Sequence, residues 1–221
     1  MGRRALLYGA TGLVGRELLL LLLASPEVDA VIAPSRRPLP ISHQKLTAPL
    51  VEFDDPAALR ALSAADDVFC CLGTTIKKAG SQAAFRKVDH DYPLAVARAA
   101  HAAGAKQFLV VTAVGADAKS GVFYNRVKGE LEQALGALAF PGGVKVFHPS
   151  LILGDRAERR PAEAIAMGLM SATAGLFVGP LMRYRAIEGA GVARGLLRAA
   201  LQEPAGNAVY EGAGLFAIAR K

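Results

Sequence analysis

In the stretch FYNRVKGELE, residues 123–132, Tyr124 and Lys128 stand four apart in a pattern that reads as helix. Four residues make about one helical turn, so the phenol and the ammonium share a face. An unperturbed phenol ionises near roughly pH 10 and is a poor acid–base group at neutrality. A cation within reach favours the phenolate and brings the group toward the working range. The same spacing also arises in ordinary surface pairs. Which reading holds depends on what the rest of the chain builds around the two residues.

The first fifteen residues point to a phosphate-bearing ligand. Ala5–Tyr8 are apolar and read as a strand; Gly9, Gly12 and Gly15 follow at three-residue spacing, and a leucine-rich helix opens behind them. Gly9 suits a sharp turn out of the strand, Gly12 a close approach of backbone to a pyrophosphate, and Gly15 tight packing of helix on sheet. The free N–H groups and positive dipole end of that helix favour an anion. Gly9, Thr11, Gly12, Leu13, Val14 and Gly15 are therefore the expected phosphate-binding residues. A glycine triplet is weak evidence alone, but here it lies between a strand and a helix, the context that dinucleotide binding requires.

A second strand, VDAVIAPSRRPLP, is read as ending in Ser35, Arg36 and Arg37. An NAD-selective site places an acidic residue there for the ribose 2′-hydroxyl. This chain has two arginines instead, which suit a 2′-phosphate or form a solvated basic loop. The first option predicts NADP(H). A third strand, LTAPLVEFDD, ends in Asp54 and Asp55; one carboxylate can meet an adenine edge while the other caps the helix that Pro56 opens.

The alternation goes on. DDVFCC reads as a fourth strand, LGTTIKKAGSQAAF as a long polar loop, and FRKVDHDYPLAVARAAHAAGA as one helix that stops at Gly104. KQFLVVTAVGA is a fifth strand ending at Thr112, VFYNRVKGELEQALGAL a helix, and GVKVFHPSLILG a sixth strand. Regular alternation predicts an α/β fold with a doubly wound parallel sheet, the Rossmann arrangement, with ligands at the carboxyl ends of the strands. Gly9–Gly15, the run Cys71, Leu72, Gly73, Thr74 and Thr75, then Thr112 and His148–Ser150 are expected to line one crevice. His148 can touch the nicotinamide or the substrate there, or be a plain strand-end residue. One domain over residues 1–221 is expected, with 151–221 as a short, mostly helical extension over the substrate and a late strand near Ala208–Tyr210.

Bulk properties exclude other classes. In 221 residues, 52% are hydrophobic, enough for a sizeable core. The net charge of +7 comes from scattered basic pairs, and Trp is absent, so nucleic acid is not the expected partner. Scattered cations around an anionic small ligand fit better. Cys70 and Cys71 are adjacent and lie in an apolar strand, where packing is the default role. His43, His90, His101 and His148 lack metal-ligand spacing, and no metal is expected. MGRR and the later LLLLLLA imitate a signal peptide, but YGATGLVGRE interrupts them and the leucine run is too short to span a membrane. MGRRAL also lacks the Ser or Thr of a myristoylation signal. A cytoplasmic protein without membrane attachment is expected.

The motifs GATGLVG, SRR, FCCLGTTIKKAGS, FRKVDHDYP, VGADAKS, YNRVKGELE and LGDRAERRP together resemble an atypical, C-terminally shortened branch of the short-chain dehydrogenase/reductase superfamily. More narrowly, they resemble the Tat-interacting-protein family of NADPH-binding, oxidoreductase-like proteins. The resemblance spans most of the first 161 residues, and CCLGTT with YNRVKGE is more specific than the glycine triplet. It implies NADP(H) held through Gly9, Gly12, Gly15, Arg36 and Arg37, with the LGTT loop passing over the cofactor. It also implies an active Tyr124/Lys128 pair, in which Lys128 reaches the nicotinamide ribose. The superfamily places a Ser or Thr at the end of the fifth strand to orient the substrate carbonyl, and relatives tend to have two hydroxyl residues in a row. Here Thr112 is followed by Ala113, so Thr112 is the one expected in that role.

Two functions follow as expectations. One is an NADP(H)-dependent oxidoreductase acting on a small carbonyl or alcohol through Tyr124, Lys128 and Thr112. The other is a cofactor-binding regulator with little turnover. A sugar-nucleotide epimerase or dehydratase is disfavoured, because the stretch beyond Ser150 is short for a substrate lobe. Arg156, Arg159 and Arg160 meet an anionic substrate or solvent. Pairing of two copies through helices flanking the sheet is common in such folds.

Overall fold

The computed structural model describes residues 2–55, 58–59, 62, 64–154 and 179–220. Strands β1 (Arg3–Tyr8), β2 (Val28–Ile32), β3 (Leu46–Thr47), β4 (Asp67–Cys70), β5 (Gln107–Val111), β6 (Val144–His148) and β9 (Ala208–Glu211) form one sheet in the order β3-β2-β1-β4-β5-β6-β9. Every pairing in it is parallel. The chain winds outward from β1 in one direction and then, from β4, in the other, so the switch point lies between β1 and β4. A second, two-stranded sheet pairs β7 (Ile152–Leu153) with β8 (Ile187–Glu188).

Period-two alternation sends side chains to two apolar layers. Leu7, Phe69, Leu109 and Phe147 face α1 (Leu13–Ala24), α6 (Gly189–Leu201) and α7 (Gly212–Arg220). Leu6, Tyr8, Val68, Cys70, Phe108 and Val146 face α4 (Tyr92–Ala102) and α5 (Phe123–Gly136). The leucine run of α1 buries Leu18, Leu19, Leu22 and Leu23 at helical spacing and leaves Leu20 about half exposed. No helix among the described residues is long and apolar enough to cross a membrane.

Several element boundaries differ from the sequence reading: of the third strand only Leu46–Thr47 forms β3, and the sixth strand divides into β6 and the separate β7. β2 stops at Ile32; beyond it only Ser35 bridges to Leu50, because Pro34 lacks the amide a longer ladder needs. The polar loop after β4 contains two short helices, α2 (Ile76–Ala79) and α3 (Gln82–Arg86). The Thr75 and Ser81 side chains cap them by accepting from the Lys78 and Ala84 amides. The helix expected to run unbroken from Phe85 is interrupted at Lys87–Asp91 by a π turn. That turn shifts the residues before α4 around the helix axis, and it places Asp89 inward.

The late strand lies where it was expected, as β9 beside β6. The segment from Ile187 onward is built into the sheet and the α1 layer. At the amino ends of the strands, Asp67 accepts from Arg3 and Gln107, and the Gln107 amide donates to the Ala200 carbonyl. Lys145 donates to the carbonyl of Ala199, so buried side chains satisfy the last turn of α6. The Arg156, Arg159 and Arg160 expectation, and any cover over the crevice from 155–178, lies outside the described residues.

Candidate active site

The glycine turn has the geometry that close approach requires. Gly9 has φ of +86°, and a Cβ there would lie 2.6 Å from the Cys71 carbonyl oxygen. A Cβ on Gly15 would lie 2.1 Å from the Gly9 carbonyl oxygen, so only glycine lets α1 start against the turn. Gly12 is the N-cap and closes the turn by donating to the Gly9 carbonyl. Helix α1 has no side-chain cap and no acidic residue in its first turn. Among the described residues, the Leu13, Val14 and Gly15 amides have no backbone acceptor. With Thr11 and Gly12 exposed beside them, this is a cradle shaped for an anion, and a dinucleotide pyrophosphate fits it. The Leu13 side chain turns away from the cradle and fills the space over Gly154 and Gly189, tying the turn to the later part of the chain.

Arg36 and Arg37 lie exposed just beyond β2, with no ion pair among the described residues. Ser35 is buried and donates to the Arg37 carbonyl, which fixes the loop that carries both guanidiniums. Asp54, expected at an adenine edge, accepts from the Lys87 ammonium and the Tyr92 hydroxyl. Those partners hold its carboxyl below the usual range, with the Lys87 hydrogen bond the largest cause.

Cys71 leaves β4 with its amide on the Tyr8 carbonyl, and Leu72, Gly73 and Thr74 run on from it. The Thr74 amide donates to Asp89 at 2.8 Å. The other Asp89 oxygen lies 2.7 Å from Lys128 Nζ, with the two side chains 1% and 4% exposed. A Cβ on Gly73 would come within 3.9 Å of that same Nζ, so the loop passes directly over the pair. Burial, the largest single cause, pulls the Lys128 pKa down, but the Asp89 charge, Tyr124 and the Asp89 hydrogen bond together outweigh it, and the net direction is up. Lys128 was expected to serve a ribose; its ammonium makes an internal ion pair, with further donors left over.

Tyr124 lies half-buried in the first turn of α5, its ring centroid 5.3 Å from that of Phe85 on α3. Arg86 pairs with Glu130, so α3 and the π turn are bound along α5 at three successive points. The loop between β5 and α5 is equally well seated. Gly129 has no side chain because the backbone of Asp117 and Ala118 occupies the space a Cβ would take.

The remaining expected residues have partners within the fold. Thr112 is buried, and its hydroxyl donates to the Phe147 carbonyl at 3.4 Å. Ser150 donates to the Arg185 carbonyl. His148 was expected to touch nicotinamide or substrate, but both ring nitrogens are engaged, Nε2 by Glu132 at 2.9 Å and Nδ1 by Glu211 at 3.0 Å. No ring donor or acceptor remains for a ligand. Burial pulls this imidazole's pKa down, while the two carboxylates push it up and prevail. Among the described residues, no group of three or more His, Cys, Asp or Glu is arranged to hold a metal.

Asp89, Gly129 and the two glutamates around His148 were not picked out from the sequence. The signal for Asp89 was indirect: a lysine on the buried face of an amphipathic helix needs a counter-charge. VDHDY contains two aspartates, and spacing alone does not choose between them.

Residues 9–138 match the NAD(P)H-binding family. The chain is 41% identical over 168 residues to the mitochondrial protein fmp52 of Emericella nidulans, covering 72% of this chain and 71% of that one. It is 37% identical over 164 residues to protein HTATIP2 of Rattus norvegicus, covering 72% and 67%. Among solved structures it resembles MoeE5 in complex with UDP-glucuronic acid and NAD, with a TM-score of 0.72 at 21% identity, over 95% of this chain and 76% of that one. A short chain dehydrogenase family protein from Francisella tularensis matches with a TM-score of 0.66 at 12% identity, over 98% and 99% of the two chains. Likeness at that identity concerns the fold alone. The cytoplasmic expectation is overturned, because the fungal relatives from Emericella nidulans, Coccidioides immitis and Aspergillus clavatus are named as mitochondrial proteins. The chain belongs to the NAD(P)H-binding family, with FMP52 and HTATIP2 among its relatives.

Proposed function

We propose that this protein is an NADP(H)-dependent oxidoreductase that interconverts a small carbonyl compound and its alcohol. The observation that carries the reading is the placement of Tyr124 and Lys128 on one face of α5, beside the loop that leaves β4 next to the glycine cradle. The amides of Leu13, Val14 and Gly15 hold the pyrophosphate, and Arg36 and Arg37 pair with a 2′-phosphate, which selects the phosphorylated dinucleotide. When bound, the nicotinamide supplies or accepts the hydride. Tyr124 passes a proton to or from the substrate oxygen. Lys128, held by Asp89, orients the nicotinamide ribose with its remaining donors. Thr112 orients the substrate oxygen: its bond to Phe147 is longer than a usual hydroxyl hydrogen bond, so exchanging it costs little.

The test compares wild type and Tyr124→Phe on a panel of aldehydes and ketones with NADPH. The variant is expected to bind NADPH as tightly as wild type and to lose at least about 100-fold in kcat, the scale of a general acid. Equal turnover by both proteins would rule out the Tyr124 mechanism.

A second reading rests on Thr112 and Ala113. If the Thr112 hydroxyl stays on the Phe147 carbonyl, Ala113 offers no replacement, and the protein is an NADPH-binding regulator with little turnover. NADPH binding without reduction of any panel member favours this second reading.

A further inference from the structure

His148, the last residue of β6, sits between carboxylates carried by two other elements. Its Nε2 lies 2.9 Å from Glu132 of α5, and its Nδ1 lies 3.0 Å from Glu211 at the end of β9. An ionised carboxylate only accepts, so each contact needs an N–H on the ring. A neutral imidazole has one N–H and one lone pair. Only the imidazolium satisfies both contacts together, and the ring is buried, so water does not readily replace a lost partner.

What the ring joins is a corner of the fold. β9 is the last strand of the sheet and pairs, among the described residues, with β6 alone. At Gly212, with φ of +51°, the chain turns from β9 into α7, and a Cβ there would lie 3.3 Å from the Arg183 amide nitrogen. Arg183 belongs to a 3-10 turn, Gly179–Tyr184, and its guanidinium reaches Glu211 at 3.7 Å. The next residue but one, Arg185, accepts from Ser150 through its carbonyl. Glu211 is therefore the meeting point of β9, α7 and residues 179–185. It lies at the carboxyl ends of the parallel strands, the same edge that carries the glycine cradle after β1.

We propose that His148 is a proton-dependent clasp: as the imidazolium it ties α5 to the β9–α7 corner, and loss of its proton to water loosens that corner together with residues 179–185. Without the proton, one carboxylate faces a ring lone pair at about 3 Å, and acceptor meets acceptor. Glu211 is the partner that leaves. Its side chain is 30% exposed against 18% for Glu132, and Arg183 offers it a second cation. β9 is also an edge strand of four residues, whereas α5 is bound along the buried layer by Leu131 and Leu135. The clasp is independent of the reaction assigned to Tyr124.

The neighbouring charged groups leave the ring as the group that switches. On α5, Lys128 stands one turn before Glu132 and is paired with Asp89. On β6, Lys145 is directed at the carbonyls of Ala199 and Glu203. On β9, burial raises the Tyr210 phenol above its ordinary range, so it is uncharged near neutrality. Arg183 also donates to the Tyr184 hydroxyl and keeps its charge throughout. Burial lowers the His148 pKa, but the two carboxylates raise it by more. The clasp is therefore shut below the ordinary histidine value of roughly 6.5 and opens as pH rises through the higher folded value.

The test follows amide hydrogen exchange of the full chain, without substrate or cofactor, from pH 6 to pH 9. Exchange times are scaled for the intrinsic effect of pH, and peptides of β5 serve as the internal reference. In wild type, peptides covering 179–188 and 208–216 are expected to lose about tenfold in protection relative to β5, the factor that a one-unit rise in pKa carries. Glu132→Gln is the decisive variant. Its carboxamide N–H donates to Nε2 while a neutral ring donates from Nδ1 to Glu211, so both contacts survive without the extra proton. Those peptides are expected to stay protected across the whole range in Glu132→Gln. Glu211→Gln, the mirror case with the carboxamide on Nδ1, is expected to behave alike and stands in if the first variant folds poorly. A wild type whose two segments keep pace with β5 at every pH would overturn the proposal, as would a pH response that persists in both glutamine variants.

Discussion

The carboxylate of Asp89 and the ammonium of Lys128 meet 2.7 Å apart beneath Gly73, one from a π turn and one from the middle of α5. Removing one partner leaves the other charged and buried. Lys128→Met is therefore expected to cost about 3–5 kcal/mol of stability. Replacing both, with Asp89→Asn and Lys128→Met, is expected to restore most of that loss. Urea unfolding of wild type, both single variants and the double variant checks it, and a double loss equal to the sum of the single losses would show that the two side chains act independently.

Under the proposed function the exposed arginines after β2 select the phosphorylated dinucleotide. Arg36→Ala and Arg37→Ala each remove a charge-assisted contact worth about 1.5–3 kcal/mol. NADPH affinity is expected to fall by roughly tenfold or more in each, with NADH affinity unchanged. Side-by-side titrations by calorimetry or fluorescence decide this. Parallel losses for both dinucleotides would place the arginines outside the 2′-phosphate site.

At the glycine turn, Gly15→Ala puts a Cβ about where the Gly9 carbonyl oxygen already sits, 2.1 Å away. Backbone cannot retreat as a flexible side chain can. The variant is expected to lose about 1–3 kcal/mol of stability and to bind both dinucleotides poorly. Gly136→Ala is the control: its Cβ meets nothing within 4 Å, and it lies at the end of α5, where alanine favours helix by up to about 1 kcal/mol. Thermal melting together with cofactor titration separates the two effects.

His148 ties β6 to Glu132 of α5 and Glu211 of β9. Its pKa is raised in the fold despite burial, because two carboxylates accept from the imidazolium. A raised value means that the stabilisation is complete below the unfolded pKa of roughly 6.5 and fades as pH rises through the folded value. The stability gap between wild type and His148→Gln, about 1.5–3 kcal/mol at pH 6, is expected to narrow on going to pH 9. Urea unfolding across that range is the measurement. A gap that widens with pH would mean that the ring is held neutral.

Much of the architecture was legible before any coordinates, for physical reasons that are local. Gly9, Gly12 and Gly15 can be read because a strand–turn–helix needs missing side chains at fixed spacing, and the fold places each against backbone. The alternation of apolar strands and helices implied the parallel sheet, since each strand must bury two faces. The spacing of Tyr124 and Lys128 implied a shared face, and they share it. The short helices α2 and α3 were legible too, in Thr75 and Ser81 with Gly80 between them, but they were read as loop because each is about one turn long.

What the chain's own order of residues determined is therefore the set of elements and the cradle at the first turn. Which charges meet was decided only in three dimensions. Asp89 lies 39 positions from Lys128, and Glu211 lies 63 from His148, so no periodicity links them. Asp89 reaches Lys128 because a π turn rotates it inward, and His148 is occupied because β9 adds to the sheet beside β6. Sequence spacing reports neighbours along one element; the state of an ionisable side chain depends on neighbours across elements, which only packing brings within a few ångströms.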